Sequence, residues 1–98
     1  MAKLSNIGGS GTSFHGTTIY TTVARLREVI GDPQCECNDG SDKCNFDWSC
    51  ETEGGIPFTI YDWKEYRRLS ETETISFHIG GRSKSDTEIA GDELFRLL

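Results

Sequence analysis

The sequence predicts a small single-domain α+β protein with a mainly antiparallel sheet and the element order strand-helix-strand-strand-strand-helix. Its length of 98 residues suits one domain. Four short segments either alternate apolar and polar residues or are rich in β-branched and aromatic residues, which favours strands. Two others repeat apolar residues at helical spacing. Consecutive strands without intervening helices are typical of an α+β fold.

Residues 1–12 are expected to form a flexible N-terminal arm, followed by a single α+β domain over residues 13–98. The arm contains Gly8, Gly9 and Gly11 around Ser10, and such a composition disfavours regular structure. The first residues lack the apolar stretch of a secretory signal, so we expect a cytoplasmic protein.

The first strand and the first helix follow this arm. Residues 16–20 are β-branched and aromatic, which predicts a strand. Thr21 or Thr22 suits the N-cap of a short helix. The apolar residues of that helix are Val23, Leu26 and Ile30. Gly31 is expected to end it.

Three further strands are predicted in the middle of the chain. Residues 43–51 alternate, with Phe46, Trp48 and Cys50 on one side. Gly54-Gly55 predicts a hairpin turn to a return strand over residues 58–63. Residues 64–74 are polar and are expected to form a long turn. Residues 75–79 alternate again, and Gly80-Gly81 is expected to end that strand.

The last segment predicts a second helix. Asp86 is the expected N-cap. The apolar side would consist of Ile89, Ala90, Leu94, Leu97 and Leu98.

Composition and charge exclude several classes of protein. No apolar run approaches the ~20 residues of a membrane-spanning helix. The net charge of −6 argues against general nucleic-acid binding. Residues 28–53 contain eight acids and one lysine, a net charge of −7, whereas residues 64–84 contain five basic and three acidic residues. Such polarity steers anionic ligands towards the basic end.

The four cysteines are Cys35, Cys37, Cys44 and Cys50. If Cys44 and Cys50 share a strand face, their Cα atoms lie ~20 Å apart and cannot bind one ion. A zinc site formed by Cys35, Cys37 and Cys44 with one histidine stays open, as do disulfides and free thiols. We predict no metal and no cofactor.

His78 and the residues after it suit contact with a ligand. In a strand, His78 points away from Phe77 and Ile79, towards the less apolar face. Gly80-Gly81 followed by Arg82 would present backbone N–H groups and a guanidinium to an anion. The alternative interpretations are a structural histidine and a plain turn with a solvated arginine.

A second group interleaves aromatic and basic side chains, namely Tyr61, Trp63, Lys64, Tyr66, Arg67 and Arg68. Aromatic rings stack on bases and arginines bind phosphates, so this group suits a nucleotide. Alternatively, Trp63 and Tyr66 complete the core while the charges are solvated.

Two blocks of sequence, Tyr61-Asp62-Trp63-Lys64 and His78-Ile79-Gly80-Gly81, resemble a family of small proteins encoded by tailed bacteriophages and some large DNA viruses of algae. The resemblance covers about residues 14–97. It implies a viral source and a fold, but no catalytic residues. Small phage proteins of this kind often act by binding, and many counter host defence.

We therefore predict a non-enzymatic phage counter-defence protein in the cytoplasm of an infected host cell. As a homo-oligomer, it would sequester a nucleotide-derived immune signal. The predicted ligand-binding residues are Tyr61, Trp63, Lys64, Arg67, Arg68, His78, Gly80, Gly81 and Arg82. The alternative is an inhibitor that binds a host defence protein or nuclease through its acidic face. A metal-stabilised module, and a hydrolase acting through His78 or a cysteine, are further hypotheses.

Overall fold

A computed structural model of the chain describes residues 3–4, 12–36, 45–63 and 68–98. Within these residues the strands are β1 (Lys3–Leu4), β2 (Ser13–Thr21), β3 (Cys35–Glu36), β4 (Phe46–Glu51), β5 (Pro57–Asp62) and β6 (Ile75–Gly81). The helices are α1 (Val23–Val29) and α2 (Lys84–Leu97). The four long strands and the two helices follow the predicted order, so the α+β prediction is confirmed.

The strands form one antiparallel sheet in the order β1-β4-β5-β6-β2, and β3 also pairs with β4. The hairpin predicted at Gly54-Gly55 joins β4 to β5, with Trp48 opposite Ile60. In β6, His78 lies opposite Tyr61 of β5 on one side and Thr18 of β2 on the other. Strand β1 arises within the predicted N-terminal arm and pairs with the C-terminal end of β4.

One face of the sheet carries the core, because side chains alternate across each strand. Its buried residues include Trp48, Phe58, Ile60, Phe77 and Ile79. Both helices pack on this inward face, contributing Val23, Leu26, Ala90 and Leu94 to the same cluster. The opposite side, called the outer face below, carries the remaining alternate residues, including Thr18, Tyr20, Tyr61 and His78.

Helix α1 has the predicted ends. Its N-cap is Thr22, whose Oγ1 accepts a hydrogen bond from the backbone N–H of Arg25 at 3.0 Å. Gly31 follows the helix with a φ of 120°, a conformation that favours glycine. Trp48 Nε1 donates to the carbonyl of Gly31 at 2.9 Å, which ties the end of α1 to β4.

Helix α2 differs from its prediction in where it begins and what it buries. The N-cap is Ser83 rather than Asp86, and Ser83 Oγ accepts from the Asp86 N–H. Ile89, predicted on the apolar side, is 45% exposed, whereas Thr87 is fully buried. The hydroxyl of Thr87 forms hydrogen bonds with Thr17 Oγ1 and with the Lys84 carbonyl, both at 2.8 Å. Thr87 can therefore be buried without leaving an unsatisfied polar group. No helix in the described part of the chain is long and apolar enough to cross a membrane.

Candidate functional site

Four aromatic rings meet on the outer face, and we call them the ring cluster: Phe14, Tyr61, Trp63 and His78. The imidazole of His78 stacks on Phe14, with 3.9 Å between centroids and 14° between planes. It also stacks at 6.1 Å on Trp63 and meets the edge of Tyr61 at 5.5 Å. The rings of Tyr61 and Trp63 contact each other edge to face at 5.9 Å. The result is a continuous aromatic surface assembled from β2, β6, β5 and the residue that follows β5.

The register of the sheet places these rings together. Tyr61 and His78 lie directly opposite each other in β5 and β6. Phe14 lies opposite Gly80, because the pairing of β2 with β6 shifts between Phe14 and Thr18. Gly16, with a φ of 95°, lies within this shift. Alternation back from Tyr20 places Phe14 on the outer face, and a glycine inside a strand is a signal for a bulge. The register against β6 that brings Phe14 to His78 is not readable from that signal.

Gly80 makes room for the rings above β6. A Cβ atom at this position would collide with Thr59 Oγ1 and lie 3.4 Å from Cε1 of Tyr61. Strand β6 ends at Gly81, within the predicted glycine pair, but Gly80 and Gly81 are themselves paired residues of the strand. Gly80 therefore supports the ring cluster by its lack of a side chain rather than by offering a turn N–H to an anion.

Gly81 faces the other way. A Cβ atom added at Gly81 would point towards helix α2 and lie 2.7 Å from Thr87 Cγ2. The residue is buried between β2 and β5, opposite Ser13 and Phe58. The expectation that Gly81 lies in an anion-binding turn is therefore corrected: it is a packing position between sheet and helix.

The predicted site residues separate into groups. Tyr61, Trp63, His78 and Gly80 come together, as described above. Arg82 is exposed and follows β6 directly. Arg68 is exposed in a segment that packs against α1, where Leu69 is buried and the Glu71 carbonyl accepts from the Ala24 N–H at 2.9 Å. Lys64, Tyr66 and Arg67 lie outside the described residues.

The ring cluster is open to solvent on part of its surface. Phe14 is 43% exposed and Trp63 is 38% exposed. Aromatic side chains in a soluble protein usually bury most of their surface, so a group of partly exposed rings is a candidate binding surface. Its chemistry suits stacking against a planar ligand.

The position of His78 predicts a measurable pH effect. Burial lowers the pKa of the His78 imidazole below its usual value of 6.5. Between the lowered pKa and 6.5 the unfolded chain binds more protons at this site, so the folded state loses stability as the pH falls through that window. We expect an NMR titration midpoint below 6.5 for His78, with His15→Gln used for assignment. The urea midpoint of His78→Gln should depend less on pH in the same window. A His78 midpoint above 6.5 would contradict this reading.

Cys50 is a buried, free thiol on the inward face. Burial raises its pKa to about 12, with a smaller contribution from the negative charge of Asp47. A thiol with so high a pKa is a poor nucleophile and a poor metal ligand at neutral pH. No three His, Cys, Asp or Glu side chains among the described residues come close enough to hold a metal ion. Cys37 and Cys44 lie outside those residues.

Three of the eight acidic residues in the segment over residues 28–53 form salt bridges with arginines of α1. Arg27 of α1 forms salt bridges with Asp32, Glu36 and Glu71, with N–O distances of 2.8 to 2.9 Å. Arg25 pairs with Glu28 at 2.9 Å. These contacts tie α1, β3 and the segment over residues 68–74 together. They reduce the carboxylate charge that is available to a basic partner.

Asp47 contributes a different acidic feature on the outer side of β4. Burial raises the pKa of its carboxyl, and the nearby carboxylate of Asp62 raises it further. Its Oδ1 is buried and has no hydrogen-bond partner among the described residues. The acidic face of the described residues is thus partly neutralised by Arg25 and Arg27 and partly withdrawn from solvent.

The chain was compared with protein-family models, with curated proteins and with solved structures, and none of them matched.

Proposed function

We propose that the ring cluster binds the base of a nucleotide-type ligand. The observation that carries the proposal is the meeting of four rings on the outer face, two of them more than a third exposed. Stacking of a base on an aromatic side chain contributes about 1–3 kcal/mol. Trp63 and Phe14 offer the most exposed ring surface, and Tyr61 and His78 hold them in place.

The phosphate of such a ligand would be held by arginine. Arg82 lies two residues after Gly80, and Gly80 is opposite Phe14, so Arg82 stands at the Phe14 end of the ring cluster. A guanidinium binds phosphate through two parallel hydrogen bonds. Lys64, Arg67 and Arg68 follow Trp63 in the sequence and are the further phosphate contacts that we propose.

We further propose that the protein sequesters its ligand rather than converting it. The only Ser–His pair within hydrogen-bond distance among the described residues is Ser13 Oγ with His15 Nε2, at 3.2 Å. The same nitrogen lies 3.1 Å from the carbonyl of Gly81. A carbonyl can only accept, so this contact requires Nε2 to carry its proton, and Nε2 then cannot deprotonate Ser13. This arrangement favours binding over nucleophilic catalysis.

The biological setting of the proposal comes from the resemblance to viral proteins. We infer a phage counter-defence protein that acts as a homo-oligomer in the cytoplasm of an infected host cell and retains a nucleotide-derived immune signal. Pairing of the acidic side chains with Arg25 and Arg27 makes an inhibitor acting through that face the weaker alternative.

The direct test uses a panel of nucleotide second messengers. Purified protein is incubated with the panel and removed, and the removed protein is then denatured by heat. Chromatography follows both the depleted solution and the released material. Depletion with intact release supports sequestration and identifies the ligand. Altered products would mean an enzyme, and no depletion would contradict nucleotide binding.

Trp63→Ala tests whether the ring cluster is the site. We expect the dissociation constant for the identified nucleotide to rise about tenfold or more, because a stacking surface is lost. Phe95→Ala is the matched control, since Phe95 is 76% exposed on α2 and lies away from the outer face. Equilibrium dialysis measures both variants. Equal losses of affinity in Trp63→Ala and Phe95→Ala would contradict the assignment of the ring cluster. Unchanged affinity in the double variant Arg67→Ala plus Arg82→Ala would contradict the assignment of the phosphate contacts.

A further inference from the structure

Strand β2 forms one edge of the sheet. Within the described residues it pairs with β6 on one side only. The opposite edge is different, because β1 pairs with Glu51 and Cys50 of β4 while β3 pairs with Asp47 and Phe46. The two short strands thus line β4 at both of its ends. Strand β2, with nine residues, has no such cover in the part of the chain that the structure describes.

The sequence of β2 lacks the features that usually protect an edge strand. Edge strands in monomeric proteins commonly carry lysine, another charged residue or proline. Between Lys3 and Arg25 the chain contains no Asp, Glu, Lys, Arg or Pro. The bulge around Gly16 is a protective feature, but it is confined to the N-terminal half of the strand. Residues 18–21 keep an unbroken register with β6 and remain suited to pairing.

The side chains in this regular part also favour pairing. Tyr20 is 74% exposed on the outer face, and Thr18 is exposed beside it. β-Branched and aromatic residues stabilise neighbouring strands through cross-strand contacts. An exposed tyrosine on an uncharged edge indicates a surface that another strand covers.

We propose that residues 19–21 of β2 pair antiparallel with the same residues of a second copy of this chain, so that the two Tyr20 residues lie opposite each other at the two-fold axis. Antiparallel pairing of identical strands about a two-fold axis is self-complementary, so one sequence supplies both sides. The chain has a net charge of −6, and two copies repel each other least along a strand without formal charges. A second copy is therefore the occupant that fits this edge.

The dimer would extend the outer face across both copies. Phe14 and Tyr20 are both on this face of β2, so the partner copy would bring its own Tyr20 towards the ring cluster. The inference rests on the proposed function only in that the protein is proposed to be a homo-oligomer. It adds the interface through which the copies associate. It does not depend on the identity of the ligand.

The experiment is sedimentation velocity over a concentration series, with Tyr20→Lys compared with wild type. We expect wild type to form a dimer in a concentration-dependent way. Tyr20→Lys should raise the dimer dissociation constant at least about tenfold, because it places two like charges at the two-fold axis. Ile89→Lys is the matched control, since it adds the same charge at a 45% exposed apolar residue of α2 and should leave the association unchanged.

Hydrogen exchange of the wild-type protein gives a second readout that needs no variant. Among residues 19–21, the amides that point away from β6 should exchange more slowly as the protein concentration rises. The proposal is overturned if wild type stays monomeric throughout the series. It is also overturned if Phe95→Lys dissociates the dimer while Tyr20→Lys does not, because the interface would then lie on α2. Nucleotide depletion by Tyr20→Lys is measured separately. A variant that is monomeric but still depletes the nucleotide has lost the interface and kept the ligand site.

Discussion

Replacing Asp62 with alanine is expected to destabilise the protein by roughly 3–5 kcal/mol, a large part of the 5–15 kcal/mol that is usual for a domain. The side chain of Asp62 is completely buried at the end of β5. Its two oxygens accept from the Asn45 backbone N–H at 2.8 and 3.0 Å, from Asn45 Nδ2 at 3.1 Å and from the Phe46 N–H at 2.8 Å. Alanine would remove the carboxylate that accepts from three interior donors, and the loss of an acceptor costs about 1–3 kcal/mol for each donor that it leaves unsatisfied.

The measurement is urea unfolding followed by the fluorescence of the buried Trp48. Asp92→Ala is the matched control: its carboxylate bonds to Arg96 on an exposed helix face, and loss of such a surface pair costs at most about 1 kcal/mol. Asp62→Asn keeps one acceptor oxygen and should fall between the two, which preserves the test if the alanine variant does not fold. Equal stability of Asp62→Ala and Asp92→Ala would show that Asp62 does not anchor the start of β4.

Gly81→Ala is expected to lower stability by about 1–3 kcal/mol, the usual cost of overpacking a filled interior. A Cβ atom at Gly81 would lie 2.7 Å from Cγ2 of Thr87 and 3.3 Å from its backbone nitrogen. Thr87 cannot easily turn away, because its hydroxyl bonds to Thr17 Oγ1 and to the Lys84 carbonyl. Strand β6 and helix α2 must therefore separate to admit the methyl group.

Thermal unfolding measures the effect of Gly81→Ala, with Gly54→Ala as the control. Gly54 is exposed in the β4–β5 turn, and an added Cβ would have its nearest neighbour at 3.9 Å. We expect Thr87→Ser to restore part of the stability of Gly81→Ala, because it removes Cγ2 and keeps the hydroxyl. If Gly81→Ala has normal stability but no longer binds the nucleotide, Gly81 belongs to the ligand site instead.

The elements of this fold were readable from local patterns. Alternation of Phe46, Trp48 and Cys50 predicted β4, because successive side chains in a strand point to opposite faces. Threonine before an apolar helical pattern and glycine after it predicted α1, because a side-chain oxygen satisfies the first N–H groups and glycine adopts a positive φ. The order of strands and helices then indicated the fold class.

The candidate site was only partly readable. The sequence predicted Tyr61, Trp63 and His78, since β-strand alternation alone places His78 away from Phe77 and Ile79. Phe14 was missed, because its contact with His78, some sixty residues further along the chain, depends on the register shift around Gly16. Gly80 and Gly81 were read as a turn, although the dipeptide fits a strand where neighbouring side chains leave no room for a Cβ.

The sequence by itself determined the α+β class, the ends of α1, the hairpin and the face of β6 on which His78 lies, because each depends on neighbours a few residues apart. The tertiary structure alone decided which strands are adjacent, where Phe14 meets His78, why Gly80 and Gly81 are glycines, and which carboxylates Arg27 binds. These features depend on sheet register and on packing between distant segments, and neither leaves a periodic signal in the chain.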